Sequence, residues 1–397
     1  LLIQNARLRG QEGLHSIAIQ AGKIAAIDPG NAPTAAEIVD AAGGLVTESF
    51  VNTHLHLCKV YTLQMMDEAA LKDYHGADMG KAMTAIELAA RIKDQYDEKW
   101  ILPNVRRAVD QAVKFGCLHI RAFADVDAKA KLEGVKALIK AREEYRGVVD
   151  IQVVAFAQDG VVREPGAEVL MRQAMELGAD VAGGIPWIEY TEKDIQTHVE
   201  FIFKLAREFN KPVSMLVDDA GDPGLRSLEA MAVEAIRTGW QGRVLAHHAR
   251  AMSMYATPYL QKIAALLKKA RMGVVTDPHT GPLHLRVREL LAEGCLVCLG
   301  QDDISDAYYP YGRNNLLEVA FLASHLLWMT ARAEMETLYD MVTTSAGQAI
   351  GLENHRLAVG NPANLVILGQ PDVLEALREH GAPSVVISNG KIVRKDG

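Results

Sequence analysis

The stretch Val51 to Leu57, VNTHLHL, carries two histidines, His54 and His56, one residue apart. It reads as a short buried strand, and strand side chains alternate with a period of two, so both imidazoles face one side. Two neutral imidazoles converging on a point suit a divalent metal of the zinc or iron kind. An isolated HxH is as often a pair of ordinary strand histidines. Here position separates the two, because related chemistry recurs at the ends of later strand-like segments. FAQDG offers Gln158 and Asp159, SMLVDD offers Asp218 and Asp219, AHHAR offers His247 and His248, and LGQDD offers Gln301, Asp302 and Asp303. A Lewis-acid centre needs a few imidazoles, an anion, an open position for water and a nearby proton carrier. His54, His56 and Asp302 supply the first part. His248 is a candidate stabiliser or proton carrier, and Asp218 or Asp219 could shuttle protons. Gln158 has both donor and acceptor atoms, which suits an amide or amidine edge; a satisfied strand-end amide would explain it equally well.

Eight apolar segments position these groups: residues 50–57, 118–126, 150–158, 180–185, 212–217, 243–248, 273–277 and 296–302. Between them, stretches such as AKLEGVKALIKAREEY, DIQTHVEFIFKLAREFN and TPYLQKIAALLKKA repeat apolar residues at three and four, the spacing of an amphipathic helix. Parallel strands need long crossovers, so the alternation predicts an α/β fold, a (β/α)8 TIM-type barrel. Both chain ends differ from this middle. Residues 1–47 alternate in short strands broken by Gly and Pro, and residues 353–397 return to strands with a hairpin turn at Asn389-Gly390. The expected organisation is a barrel over 48–352 and a small β-sandwich from residues 1–47 and 353–397. Residues 60–86, rich in Met, Asp and Gly, have no clear period. After a first barrel strand, such an insertion would cover the mouth, with Met65 and Met66 as lid contacts or as packing.

With 397 residues, 49% hydrophobic and 23% charged, the composition is that of a soluble globular chain. A net charge of −8 without a basic cluster argues against nucleic acid or an anionic membrane as partner. No apolar run approaches the roughly 20 residues of a membrane span. The opening LLIQNARLRG lacks the pattern of a secretion signal. Four cysteines, Cys58, Cys117, Cys295 and Cys298, do not suggest a disulfide framework, so a cytoplasmic setting is expected. The offset of three between Cys295 and Cys298 places them on opposite strand faces, as core rather than as a redox pair.

Together FVNTHLHL, VDIQVVAFAQDG, GGIPWIEYTEKD, GRVLAHHARAMSMY, LGQDDISDAYYPYGRNN and GLENHRLAVGNPANLVIL make the sequence resemble the amidohydrolase superfamily, in its cytosine deaminase-like branch. That branch also contains N-isopropylammelide isopropylaminohydrolase. The resemblance runs over nearly the whole chain. It implies a metal-dependent hydrolase with one divalent ion, zinc or iron, activating water against a ring carbon that bears an amino group. By that analogy His54, His56 and Asp302 are ligands, Asp302 also moves protons, His248 polarises water or substrate, and Gln158 holds the ring amide. Lys59, Asp303 and Tyr308 fall among the candidate substrate contacts, and a homo-oligomer is expected.

One departure bears on the metal. The family places a ligand histidine at the end of strand five, in a pattern like HxxE, and here that position is Leu216. Asp219 stands where the family has its proton-shuttling glutamate, one methylene shorter, and Tyr308 falls where cytosine deaminases carry a tryptophan. Three outcomes follow: Asp218 substitutes as a ligand, the ion binds weakly through fewer groups, or the site is a metal-free binding site. The leading function is hydrolysis of a C–N bond in a small nitrogen heterocycle. Hydrolysis of a cyclic amide or another leaving group, and non-catalytic binding, stand beside it.

Overall fold

The structure, a computed structural model, describes residues 1–30, 35–65, 72 and 82–395. Most of the segment expected to cover the mouth, Met66 included, lies outside the described residues.

Eight parallel strands form the centre: β6 (Phe50–Leu55), β7 (Cys117–Asp125), β8 (Asp150–Ala157), β9 (Val181–Gly184), β10 (Val213–Val217), β11 (Val244–His248), β12 (Gly273–Thr276) and β13 (Val297–Leu299). Each predicted barrel strand is present. The largest difference is at the last, which pairs as a strand over Val297–Leu299 only. The strands neighbour one another in chain order, as a barrel of successive βα units requires. Strands covered on both faces read as continuous apolar runs, and all nine residues of β7 are buried. The three amphipathic stretches fold as the helices Glu133–Glu144, Glu192–Glu208 and Thr257–Ala270. Their apolar stripes, for example Val199, Ile202, Phe203 and Ala206, are buried in the main core.

The chain ends supply two further sheets. β1 (Leu2–Ala6), β2 (His15–Gln20), β3 (Lys23–Ile27) and β4 (Ile38–Asp40) form one in the order β3-β2-β1-β4. β5 (Val46–Glu48), β14 (Leu365–Ile367), β15 (Val385–Ser388) and β16 (Lys391–Lys395) form the other in the order β16-β15-β14-β5. Ile3, Ile17 and Ile24 from one sheet share an apolar core with Val46, Leu365 and Ile387 from the other. Asn389 and Gly390, joining β15 to β16, have φ of 48° and 76°, the pair of positive values a type I′ hairpin turn requires.

Cys295 and Cys298 are both buried and free, in separate apolar clusters. No helix among the described residues is long and apolar enough to cross a membrane.

Candidate functional site

The seam that closes the barrel is also where the candidate ligands meet. β6 is joined at its last residue, Leu55, to the chain just beyond β13 by a bridge to Asp302. The Asp302 N–H donates to the His54 carbonyl at 2.9 Å, and the His56 N–H donates to the Asp302 carbonyl at 2.8 Å. Asp302 has a φ of 65°, a left-handed conformation that costs a non-glycine residue about 1–3 kcal/mol and persists only where its surroundings impose it. Here the seam imposes it.

Three imidazoles converge on one oxygen of Asp302. Nε2 of His54 lies 3.0 Å from Asp302 Oδ1, and Nε2 of His56 and of His248 each lie 3.9 Å from the same oxygen. His54, His248 and Asp302 offer ligand atoms all within 4.8 Å of one another, as do His56, Asp302 and Asp303. All are buried. Buried imidazole nitrogens around a carboxylate oxygen are a donor set that fits a divalent zinc- or iron-like ion.

His248 arrives by a backbone device. On an alternating strand, consecutive residues face opposite sides, and His247 already faces inward, its ring 4.6 Å from that of His54 and 5.0 Å from Phe123. His248 and Ala249 adopt φ of 67° and 45°, and the His248 ring comes within 4.8 Å of the same His54 ring. Its Nδ1 bonds Asp277 Oδ2 at 2.8 Å. Arg250 stands behind both groups, donating to Asp219 Oδ1 at 2.6 Å, to Asp277 Oδ2 at 3.0 Å and to Thr280 Oγ1 at 2.5 Å. One guanidinium thus ties together the loops that follow β10, β11 and β12. Thr280 Oγ1 also donates to Asp302 Oδ2 at 2.9 Å.

The expectation for Asp218 is corrected. β10 ends at Val217, and Asp218 has a φ of 45°, so the alternation that would place it on the face of Leu216 stops one residue short. Its Oδ1 accepts from Ser227 N, Ser227 Oγ and Leu228 N at 2.7, 2.6 and 3.3 Å, and its Oδ2 accepts from Tyr255 Oη at 2.5 Å. Its oxygens serve the first turn of the helix Ser227–Arg237 and one tyrosine. It is a structural carboxylate, turned away from the centre.

Leu216 does face the site, packed in an apolar cluster with Ile86, Phe123, Phe156, Trp187 and Tyr308. A pocket opens above the imidazoles, lined by His56, Lys59, Gln158, Leu216, Asp219, His248, Asp302, Asp303 and Tyr308, with Ile86, Ile185 and Trp187. Its volume, about 30 Å³, is about a tenth of that of the smallest typical ligand pockets. A heterocycle therefore enters only as lining side chains shift. Lys59 Nζ donates to Gln158 Oε1 at 3.1 Å and lies 4.8 Å above the Tyr308 ring. This fixes the Gln158 amide, leaving its Nε2–H donors for a bound molecule.

A much larger concavity of about 870 Å³ lies at the opposite end of the strands, lined among others by Arg142, Asp150, Asp180 and Lys211. Its Arg142 is paired with Asp180 at 2.7 Å, and it lacks convergent imidazoles, so the smaller pocket is the candidate site.

The charges sort themselves by burial and neighbours. Burial lowers the affinity of His54 and His56 for a proton, holding His56 well below the ordinary histidine range, which keeps their nitrogens available as ligands. Burial also opposes charge on His248, but Asp219, Asp277 and Asp302 push it up to about 9. Asp302 is held well below the usual carboxylate range despite its burial, by His248, His54 and Arg250. Asp303 is raised well above that range by burial and by the charges of Asp302 and Asp306. Both influences bias Asp303 towards keeping its proton.

The reading from sequence missed Asp277, Thr280 and Arg250. Asp277 was legible as the polar end of strand seven, and Arg250 lies two residues beyond His248 in AHHAR, but nothing in the spacing fixes its direction.

Residues 37–394 match the model of the amidohydrolase family. The chain is 29% identical to N-isopropylammelide isopropyl amidohydrolase of Pseudomonas sp. (strain ADP), over 100% of this chain and 97% of that protein. Among solved structures it is similar to 5-methylcytosine deaminase from Klebsiella pneumoniae liganded with 5-fluorocytosine, with a TM-score of 0.91, 30% identity and coverage of 100% and 98%. It is also similar to N-isopropylammelide isopropylaminohydrolase from Burkholderia multivorans, with a TM-score of 0.88, 26% identity and coverage of 99% and 98%.

Proposed function

The chain belongs to the amidohydrolase family, and from that premise we propose that it hydrolyses a C–N bond of a small nitrogen heterocycle, a pyrimidine- or triazine-like amidine, releasing ammonia or an amine. The observation that carries this reading is the convergence of three Nε2 atoms on Asp302 Oδ1 beneath a pocket holding Gln158 and Asp303. Similarity to two enzymes named for heterocycle amine removal supports the substrate class.

His54, His56 and Asp302 would hold one zinc or iron ion, with His248 reaching the same point. Such an ion, when bound, supplies Lewis-acid polarisation and lowers the pKa of its water towards neutrality. The remaining work falls to the chain. Asp219 Oδ2 faces His248 Nε2 at 4.0 Å and, with Asp302, takes the proton from the attacking water and returns it to the leaving nitrogen. Gln158, fixed by Lys59, donates to a ring carbonyl. Asp303, biased towards its protonated form, faces the exocyclic nitrogen. Leu216, Trp187 and Tyr308 give the ring an apolar bed and exclude water.

The test is release of ammonia or alkylamine over a panel of pyrimidines, triazines and pterins, with protein reconstituted in zinc or iron. Turnover in one class, abolished in Asp302→Ala, is the expected result. No turnover across the panel would set aside the substrate class, and full activity of Asp302→Ala would remove the role given to that carboxylate. Cyclic-amide hydrolysis on the same residues is the second reading; because Leu216 contributes no donor, metal-poor binding without turnover is the third.

A further inference from the structure

β10 contributes no ligand. Leu216 is apolar, Asp218 is committed to Ser227, Leu228 and Tyr255, and Asp219 Oδ1 is committed to Arg250. Resting on the metal reading above, we propose that His248, at the end of β11, completes the ligand set in place of the imidazole missing from the end of β10.

Three independent observations carry this. Distance is the first: the His248 nitrogen lies as near Asp302 Oδ1 as that of His56 does, both at 3.9 Å, and His248 belongs to the compact donor trio with His54 and Asp302. The second is the support behind the ring. A ligating histidine almost always donates its outer N–H to a carboxylate, carbonyl or water. Of the three imidazoles, His248 has this partner, Asp277 at 2.8 Å, whereas Nδ1 of His54 and of His56 is buried without one among the described residues. Asp277 is itself held by Arg250 at 3.0 Å, so the ring is fixed with Nε2 aimed at the centre. The third is the backbone. Left-handed φ at His248 and Ala249 carries the second of two adjacent histidines to the side already occupied by the first, at a cost in strain that a ring merely filling space would not need. His248 then steadies the centre as a ligand once an ion displaces its Nε2 proton, since a ligating histidine must be neutral, and proton carriage rests on Asp219 and Asp302.

The experiment is metal affinity, independent of any substrate. Zinc dissociation constants by chelator competition and the visible absorption of the cobalt-loaded protein are measured for the wild type, His248→Ala, Asp277→Asn and the double variant Leu216→His/His248→Ala, with folding checked by circular dichroism. The expected result is about one zinc per wild-type chain and at least a hundredfold loss of affinity in His248→Ala. A loss of about 10–100-fold is expected in Asp277→Asn, and the double variant should recover affinity and its own cobalt spectrum. If His248→Ala is folded and binds zinc like the wild type, with an unchanged cobalt spectrum, the assignment is overturned while the metal reading stands. If folded wild type takes up neither zinc nor cobalt, both fall. Should His248→Ala not fold, Asp277→Asn decides: unchanged affinity there overturns the assignment, and a 10–100-fold loss supports it.

Discussion

In the reaction proposed above, Asp219 reaches with one methylene fewer than a glutamate, and Arg250 sets its orientation. The arginine is 2% exposed and faces Asp219, Asp277 and Asp302, the last with Nη2 at 3.6 Å. Removing one partner from a buried ion network costs far more than the network contributes net, because it strands the opposite charge. Arg250→Leu is therefore expected to lose about 3–5 kcal/mol of unfolding free energy in urea titrations; a loss under about 1 kcal/mol would mean that water already screens these carboxylates. His54 and His56 were legible from sequence because alternation along one strand turns both to the same face, and His248 and Asp302 because each is a polar residue closing an apolar run; the direction of His248 was not, since it follows from left-handed φ. Arg250 and Thr280 were not, since they lie in short 3-10 turns where a side chain's direction depends on which carboxylates other strands bring near.

At the scale of elements, the alternation rule holds along the strands and fails at the ends of two of them. Left-handed φ at Asp218 and His248 marks the ends of β10 and β11, and in both cases the side chain departs from the face that counting by two assigns. For His248 the departure brings a group to the centre; for Asp218 it takes one away. The helix Ser227–Arg237 has no side-chain cap from its own N-cap residue, Arg226, and Asp218 meets its first backbone N–H groups instead, which stabilises them as a remote cap. Asp218→Ala is accordingly expected to cost about 1–3 kcal/mol of stability while leaving zinc stoichiometry unchanged. Lost zinc in a variant of wild-type stability would return Asp218 to the ligands. The eight strands themselves were legible because they are apolar runs separated by helices long enough to cross back. The three-residue extent of β13 was not, since hydrogen bonding at the seam, rather than composition, ends it.

At the scale of the whole molecule, barrel and terminal sheets meet at the end of β5 and at residues that precede β14. Leu357 N donates to Glu48 Oε1 at 2.7 Å, and His355 Nε2 donates to the Ser49 carbonyl at 2.9 Å while its ring packs edge-on to His119 at 5.0 Å. Burial, reinforced by the charge of His119 when that ring is protonated, lowers His355 to about 4, against about 6.5 for an unfolded histidine. Between those values the unfolded chain holds a proton that the folded chain refuses. Unfolding therefore takes up protons there, and stability falls as pH drops from about 6.5 to about 4, with no further contribution from this group below that. The limiting slope for one histidine is about 1.4 kcal/mol per pH unit. His355→Asn keeps an N–H for Ser49 and cannot titrate. Urea unfolding at a series of pH values from 7 to 4 is expected to give the variant a slope shallower by up to one proton, with curves that meet at neutral pH apart from a constant offset. Parallel slopes would show that His355 takes its proton in the folded state, and that the acid sensitivity of the junction lies elsewhere.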